Sequence, residues 1–210
     1  MKLTVNAFLS LDGVMQGPGG PDEDRSGGFD RGGWLVKFAD EWMDGIVTGW
    51  FEQADALLFG RTTYDMMAAY WPNVVDELPL NTLPKYVASS TLRDPAWHNT
   101  TVLEGPVLEA VAALKTLPGR ELQVHGSCAL ARSLHNAGLV DEYRLLVFPV
   151  LVGEGKRLFE HGSVPGEMEL VGTQVTPAGA VCSTFRPSGP LSAGTFVVED
   201  GKETAVSLSA

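Results

Sequence analysis

The sequence is short of the residues that mark several common functions. Of 210 residues only two are cysteine, Cys128 and Cys182, far apart and each in apolar surroundings. A disulfide framework needs more of them, so the expectation is two buried free thiols and a reducing, cytosolic setting. Basic residues are also scarce, 15 against 26 acidic ones, and no Lys/Arg block offsets the formal charge of −11 locally. A field of that sign repels phosphate backbones, which argues against a nucleic-acid partner. No run approaches the roughly 18 apolar residues of a membrane span. The stretch Met1 to Asn6 shows no apolar leader core, so neither a membrane partner nor export is expected.

Several catalytic signatures are missing too. His98 and His161 fall in expected loops, His125 and His135 lie ten apart, and no H-E-x-x-H or C-x-x-C occurs. No metal is expected on that spacing. A G-x-S-x-G elbow, a Walker lysine motif and a G-x-G-x-x-G between strand and helix are likewise not found.

What is present is an ordinary globular composition, 44% apolar and 20% charged, long enough for one domain with a sizeable core. Leu3 to Ser10 reads as a strand ended by the turn pair Asp12-Gly13. Residues 12–33 hold eight glycines and no periodicity, which fits either a lid over a site or a disordered surface insertion. Phe38, Trp42, Ile46 and Trp50 recur at four-residue spacing and predict a helix with one core-facing stripe. Ala56 to Phe59 is a buried strand stopped by Gly60, and Arg61 to Tyr70 a helix, followed by a connecting loop over 72–79.

Further strands are expected at Pro84 to Ser90, Thr101 to Leu103, Glu121 to His125 and Glu142 to Val152. Helices are expected from Pro106 to Gly119 and from the capping Ser127 to Gly138. Alternating strands and helices imply a three-layer α/β/α domain with a mostly parallel sheet. Two hairpins follow, one turning at Pro177-Ala178-Gly179 and one at Asp200-Gly201. They add antiparallel strands, and residues 1–187 form the domain while 188–210 form an extension.

In open α/β sheets ligands sit beyond the carboxyl ends of the parallel strands. Two of those ends carry the same device: Gly60-Arg61-Thr62-Thr63 and Gly126-Ser127-Cys128-Ala129. In each, glycine lets the backbone approach closely, hydroxyls add donors, and a helix start offers free N–H groups to an anion. Arg61 adds a planar fork suited to phosphate. Ser89, Ser90 and Thr91 end a third strand with successive hydroxyls that suit a ribose or its phosphate. Asp12, at a strand exit beside the glycine-rich segment, is the first acid/base candidate, with Asp-Gly turn chemistry as its alternative. Asp44 on the first helix is the second.

In chain order these pieces resemble the dihydrofolate-reductase-like superfamily. The closer resemblance is to the bacterial branch similar to the C-terminal reductase domain of the riboflavin-pathway deaminase-reductase. The residues that carry it include Leu11-Asp12-Gly13, Phe59-Gly60-Arg61-Thr62-Thr63-Tyr64 and Val124-His125-Gly126-Ser127. Gly138-Leu139-Val140-Asp141-Glu142 and Arg157-Leu158-Phe159 extend it. The resemblance implies NADPH as cofactor, with NADH possible, and hydride transfer to a small heterocycle. It implies that Gly60, Arg61 and Thr63 contact the cofactor's phosphates, that Ser89 and Ser90 flank the adenosine ribose phosphate, and that Gly126-Ser127 holds the pyrophosphate. His125 departs from the glutamate common in riboflavin-pathway reductases. Two other readings remain open here: a nucleotide-binding protein without turnover, and a mainly structural homodimer whose long apolar strand (Glu142 to Val152) and C-terminal hairpin serve assembly.

Overall fold

The computed structural model describes residues 1–74 and 79–208; part of the loop expected over 72–79 therefore lies outside the described residues. Eight strands form one mixed sheet: β1 (Lys2–Ser10), β2 (Ala54–Gly60), β3 (Lys85–Ala88), β4 (Thr100–Val102), β5 (Glu121–His125), β6 (Glu142–Phe148), β7 (Glu167–Val175) and β8 (Val181–Gly189). Their order is β4-β3-β2-β5-β1-β6-β8-β7. The first six are parallel, β8 runs antiparallel to β6, and β7 antiparallel to β8. This is the expected α/β architecture with antiparallel strands added at one side.

Period-two alternation sorts each strand between two cores. In β2, Ala56 and Leu58 join the core packed by α3 (Val107–Thr116) and α4 (Cys128–Asn136), through Val111, Leu130 and Leu134. Leu57 and Phe59 face the other way, toward Phe51 of α1 (Glu41–Phe51) and Tyr64 of α2 (Arg61–Tyr70). β6 divides likewise, Tyr143 to the first core and Leu146 and Phe148 to the α1 side. Three layers result. Among the described residues no helix is long and apolar enough to cross a membrane.

Three local expectations are corrected. The core-facing side of α1 carries Met43, Ile46, Val47, Trp50 and Phe51, and Phe38 packs beside it from a 3-10 turn before the helix, while Trp42 of the expected stripe is 59% exposed. A strict four-residue spacing turns about 40° further at each step than the helix does, so only residues near the 3.6 period stay on the sheet. β6 stops at Phe148 and not at Val152, because Pro149 has no N–H to extend the ladder.

Residues 12–33 form no disordered insertion either. Val14 bridges to Arg157, Phe29 and Val14 are buried, and Trp34 Nε1 donates to the Gln16 carbonyl at 2.8 Å. Glycine permits this packing: a Cβ on Gly32 would lie 2.3 Å from the Gly20 carbonyl oxygen. Beyond the sheet, β9 (Ala193–Glu199) and β10 (Lys202–Leu208) pair only with each other, around Asp200-Gly201.

Candidate functional site

Strand order decides what the carboxyl edge of the sheet holds. β2 and β5 are parallel neighbours, so the turns that follow them, at Gly60 and Gly126, lie side by side. They are bolted together: the Gly60 amide donates to Ser127 Oγ at 2.9 Å, and the Ser127 amide donates to Thr63 Oγ1 at 3.0 Å. Gly126 (φ 62) and Ser127 (φ 56) are both left-handed. For a serine that conformation costs roughly 1–2 kcal/mol. At Gly126 a Cβ would also press to 3.2 Å on Thr63 Cγ2.

Two sequence expectations change here. Ser127 does not cap its own helix; its hydroxyl is committed to the other turn. Backbone donors of the two turns offered to an anion are partly spent: the Gly60 and Ser127 amides go to these cross-links. Thr63 is buried in the same joint, so its oxygen holds the Ser127 amide.

The donors left over belong to the helices. Neither α2 nor α4 has a side-chain cap, and the first N–H groups of any helix have no intrahelical acceptor. Two helix starts, at turns held a hydrogen bond apart, therefore bring partial positive charge together at neighbouring strand exits. Beside them opens a groove of about 620 Å³, lined by Gly60 and Arg61, Ala88 at the β3 exit, Val107 and Leu108 at the start of α3, and Ala129 and Leu130 of α4. The sequence reading missed Ala88, Leu130 and the α3 start. The signal was there, because β4 also ends at this edge and Gly105-Pro106 opens the next helix.

Arg61 reaches across to the β3 exit, donating to Thr91 Oγ1 at 3.1 Å, and is ion-paired with Asp65 at 2.7 Å. Ser89 Oγ accepts the Leu92 amide at 3.0 Å and so closes the local turn, while Ser90 and Thr62 are exposed. Cys128, half-buried at the start of α4, has its thiol pushed up by burial and stays protonated at neutral pH. Ala129 is exposed beside it.

The two acid/base candidates lie elsewhere. Asp12 accepts from Ser10 Oγ at 2.7 Å, from the Val152 and Gly153 amides at 3.0 and 2.7 Å, and is paired with Arg157 at 3.4 Å. These bonds, led by Ser10, hold its carboxyl well below the usual carboxylate range. It is ionised at neutral pH and clips the β1 exit to the segment after β6. Asp44 is exposed on α1 and does not line the groove; Asp40 is the residue that caps α1, accepting the Met43 amide at 2.8 Å.

A buried polar row that sequence reading did not assemble runs under α1. Gln123 Nε2 donates to the Trp50 carbonyl at 2.6 Å and to Glu121 at 2.7 Å. Its Oε1 therefore faces His125 Nε2 at 2.9 Å and Asn6 Nδ2 at 3.1 Å. His125 Nε2 thus sits between an amide oxygen, Gln123 Oε1, and an amide nitrogen, Asn6 Nδ2 at 3.2 Å. Burial pushes His125 down to about 3, and its ring stacks on Phe51 at 4.5 Å. It is a neutral imidazole at the end of β5.

The comparisons with known proteins agree with this geometry. The family model of the RibD C-terminal domain matches residues 1–182. The uncharacterized protein YyaP of Bacillus subtilis (strain 168) is 28% identical over 195 residues, covering 90% of this chain and 96% of that protein. A putative riboflavin biosynthesis protein from Shewanella sp. PV-4 superposes with a TM-score of 0.70 at 22% identity, over 90% of this chain and 99% of that one. Dihydrofolate reductase from Enterococcus faecalis, solved with NADP(H), gives 0.59 at 15% identity over 89% and 96% of the two chains. The structural likenesses carry the fold alone; the match over residues 1–182 carries the family, and the chain belongs to the RibD C-terminal domain family.

Proposed function

We propose that this chain is an NAD(P)H-dependent reductase that passes hydride to a small planar heterocycle of pterin or pyrimidine type. The observation that carries the reading is the pair of uncapped helix starts of α2 and α4, locked side by side by Ser127 and Thr63. Free amides at two adjacent helix starts suit a diphosphate. The adjoining groove, apolar at Val107, Leu108 and Leu130, suits the adenosine end, with Arg61, which bonds Thr91, at its phosphate side.

The bound dinucleotide supplies the hydride; the chain's contribution is to bind, orient and exclude water. On this reading Asp12 is a positioning residue and no proton donor, since its carboxylate is committed to Ser10, Val152 and Gly153.

A thermal-shift titration with NADPH and NADH tests the cradle, and loss of reduced-nicotinamide absorbance across a panel of pterins and pyrimidines tests turnover. Binding without oxidation across that panel favours a nucleotide-binding protein that lacks the chemistry. No stabilisation by either nucleotide refutes the cradle. Arg61→Ala is expected to weaken NADPH more than NADH.

The partner we propose besides substrate is a second copy of the chain. The β9–β10 hairpin forms its own sheet and leaves Phe196 69% and Val198 73% exposed, and a lone two-stranded hairpin is marginal in water. Sedimentation with and without residues 190–210 tests this; an unchanged mass on truncation refutes it.

A further inference from the structure

We infer that Asp65 sets how strongly this chain favours a dinucleotide bearing an adenosine 2′-phosphate over one without it. The inference rests on the cofactor reading above and concerns a residue outside the glycine turns. Asp65 stands one helical turn after Arg61, and both its oxygens engage Arg61 Nε, at 2.9 and 2.7 Å. Arg61 Nη1 is held by Thr91 Oγ1 at 3.1 Å, and Nη2 has no partner among the described residues. The guanidinium, which lines the groove, thus keeps one nitrogen spare while its charge is already matched.

Stability does not explain the pair. The side chains are 41% and 50% exposed, and exposed pairs at this spacing add little to folding. The consequence is electrostatic. A phosphate that docks on the free edge of Arg61 lies on the far side of one guanidinium from Asp65, well inside a Debye length at physiological salt. It carries close to two negative charges, and a second acid, Glu109, lines the same groove. Asp65 therefore repels the 2′-phosphate that Arg61 attracts; the diphosphate at the α2 start feels the same charge in both nucleotides, so the extra phosphate of NADPH is what narrows its preference over NADH.

Titration calorimetry of the full-length chain with NADPH and NADH, at low and high salt, tests this. At low salt Asp65→Asn is expected to tighten NADPH about fivefold and NADH by clearly less. The gain should shrink as salt screens the repulsion. Asp65→Glu, which keeps the charge, is expected to match the wild type, and Asp65→Ser serves as a second neutral variant should the asparagine chain not fold. An unchanged NADPH-to-NADH ratio in the neutral variants overturns the inference while the cofactor reading stands. So does weaker binding of NADPH alone, which would make Asp65 a strut for Arg61. If neither nucleotide binds the wild type or any variant, the cofactor reading and this inference fall together.

Discussion

The two ends of the parallel strands are built from opposite uses of polar groups. At the amino ends, Glu121 and Glu142 are buried and saturated: Lys2 reaches them at 3.2 and 2.9 Å, Arg144 at 2.6 and 2.9 Å, and Arg186 meets Glu142 at 3.0 Å. At the carboxyl ends the side chains of Ser127 and Thr63 satisfy one amide each and leave two helix starts uncapped. A saturated network has nothing left for a ligand, so its work is structural. Spare donors held in a fixed arrangement are what a ligand site needs, because they cost no reorganisation on binding. The contrast teaches that a large set of charges is a poorer guide to the site than a few unsatisfied amides.

The strongest way to break the comparison is to empty the amino end. Arg144→Met leaves Glu121 and Glu142 buried with fewer partners, and is expected to cost about 3–5 kcal/mol in urea unfolding. Nucleotide affinity of the folded fraction should not change. A parallel loss of affinity would mean that the two ends act as one unit.

Asp12 lies at the carboxyl edge but is saturated like the groups at the amino end, and it sharpens the contrast. Asp12→Asn is expected to cost about 1–3 kcal/mol, since two amides and Arg157 lose a charged acceptor. Folding holds this carboxyl below its ordinary value of 3.8. The stabilisation is therefore complete above that value and is lost as pH falls toward the folded-state value. Unfolding measured along a pH series should show a constant gap between wild type and variant down to roughly pH 5, closing in more acid solution.

Ser127→Ala removes the acceptor of the Gly60 amide and unbolts the turns. About 1 kcal/mol of stability should go, together with several-fold weaker nucleotide binding by calorimetry. Loss of stability without loss of affinity would mean that the joint does not organise the site. The smallest effect is expected at Thr62, whose exposed hydroxyl makes no bond among the described residues. Thr62→Ala should stay within about 0.5 kcal/mol in unfolding, so any change in affinity would reveal a direct contact.

Much of the architecture was legible in order and type. Ala56 to Phe59 and Glu121 to His125 read as buried strands ended by glycine, and the turns at Pro177-Ala178-Gly179 and Asp200-Gly201 carry their own chemistry. The device at Gly60 and Gly126 was legible as two separate helix starts. Its joint was not, because Ser127 shows the same residue type whether it caps its own helix or holds a strand exit 67 residues away. Asp12 shows the same limit: its amide partners lie 140 and 141 residues downstream. For Trp42 the apolar pattern named a helix but not which side of it meets the sheet.

By itself the sequence determined the local menu: which segments alternate with period two, which wind into helices, and where glycine and proline stop them. Those preferences arise from sterics and hydrogen bonding within a few residues. Only the tertiary structure decided that β2 lies beside β5, and hence that two ordinary turns are joined and the uncapped helix starts after them lie side by side. Strand order comes from burying all the apolar faces at once against shared cores, a condition on the whole chain that no short window contains.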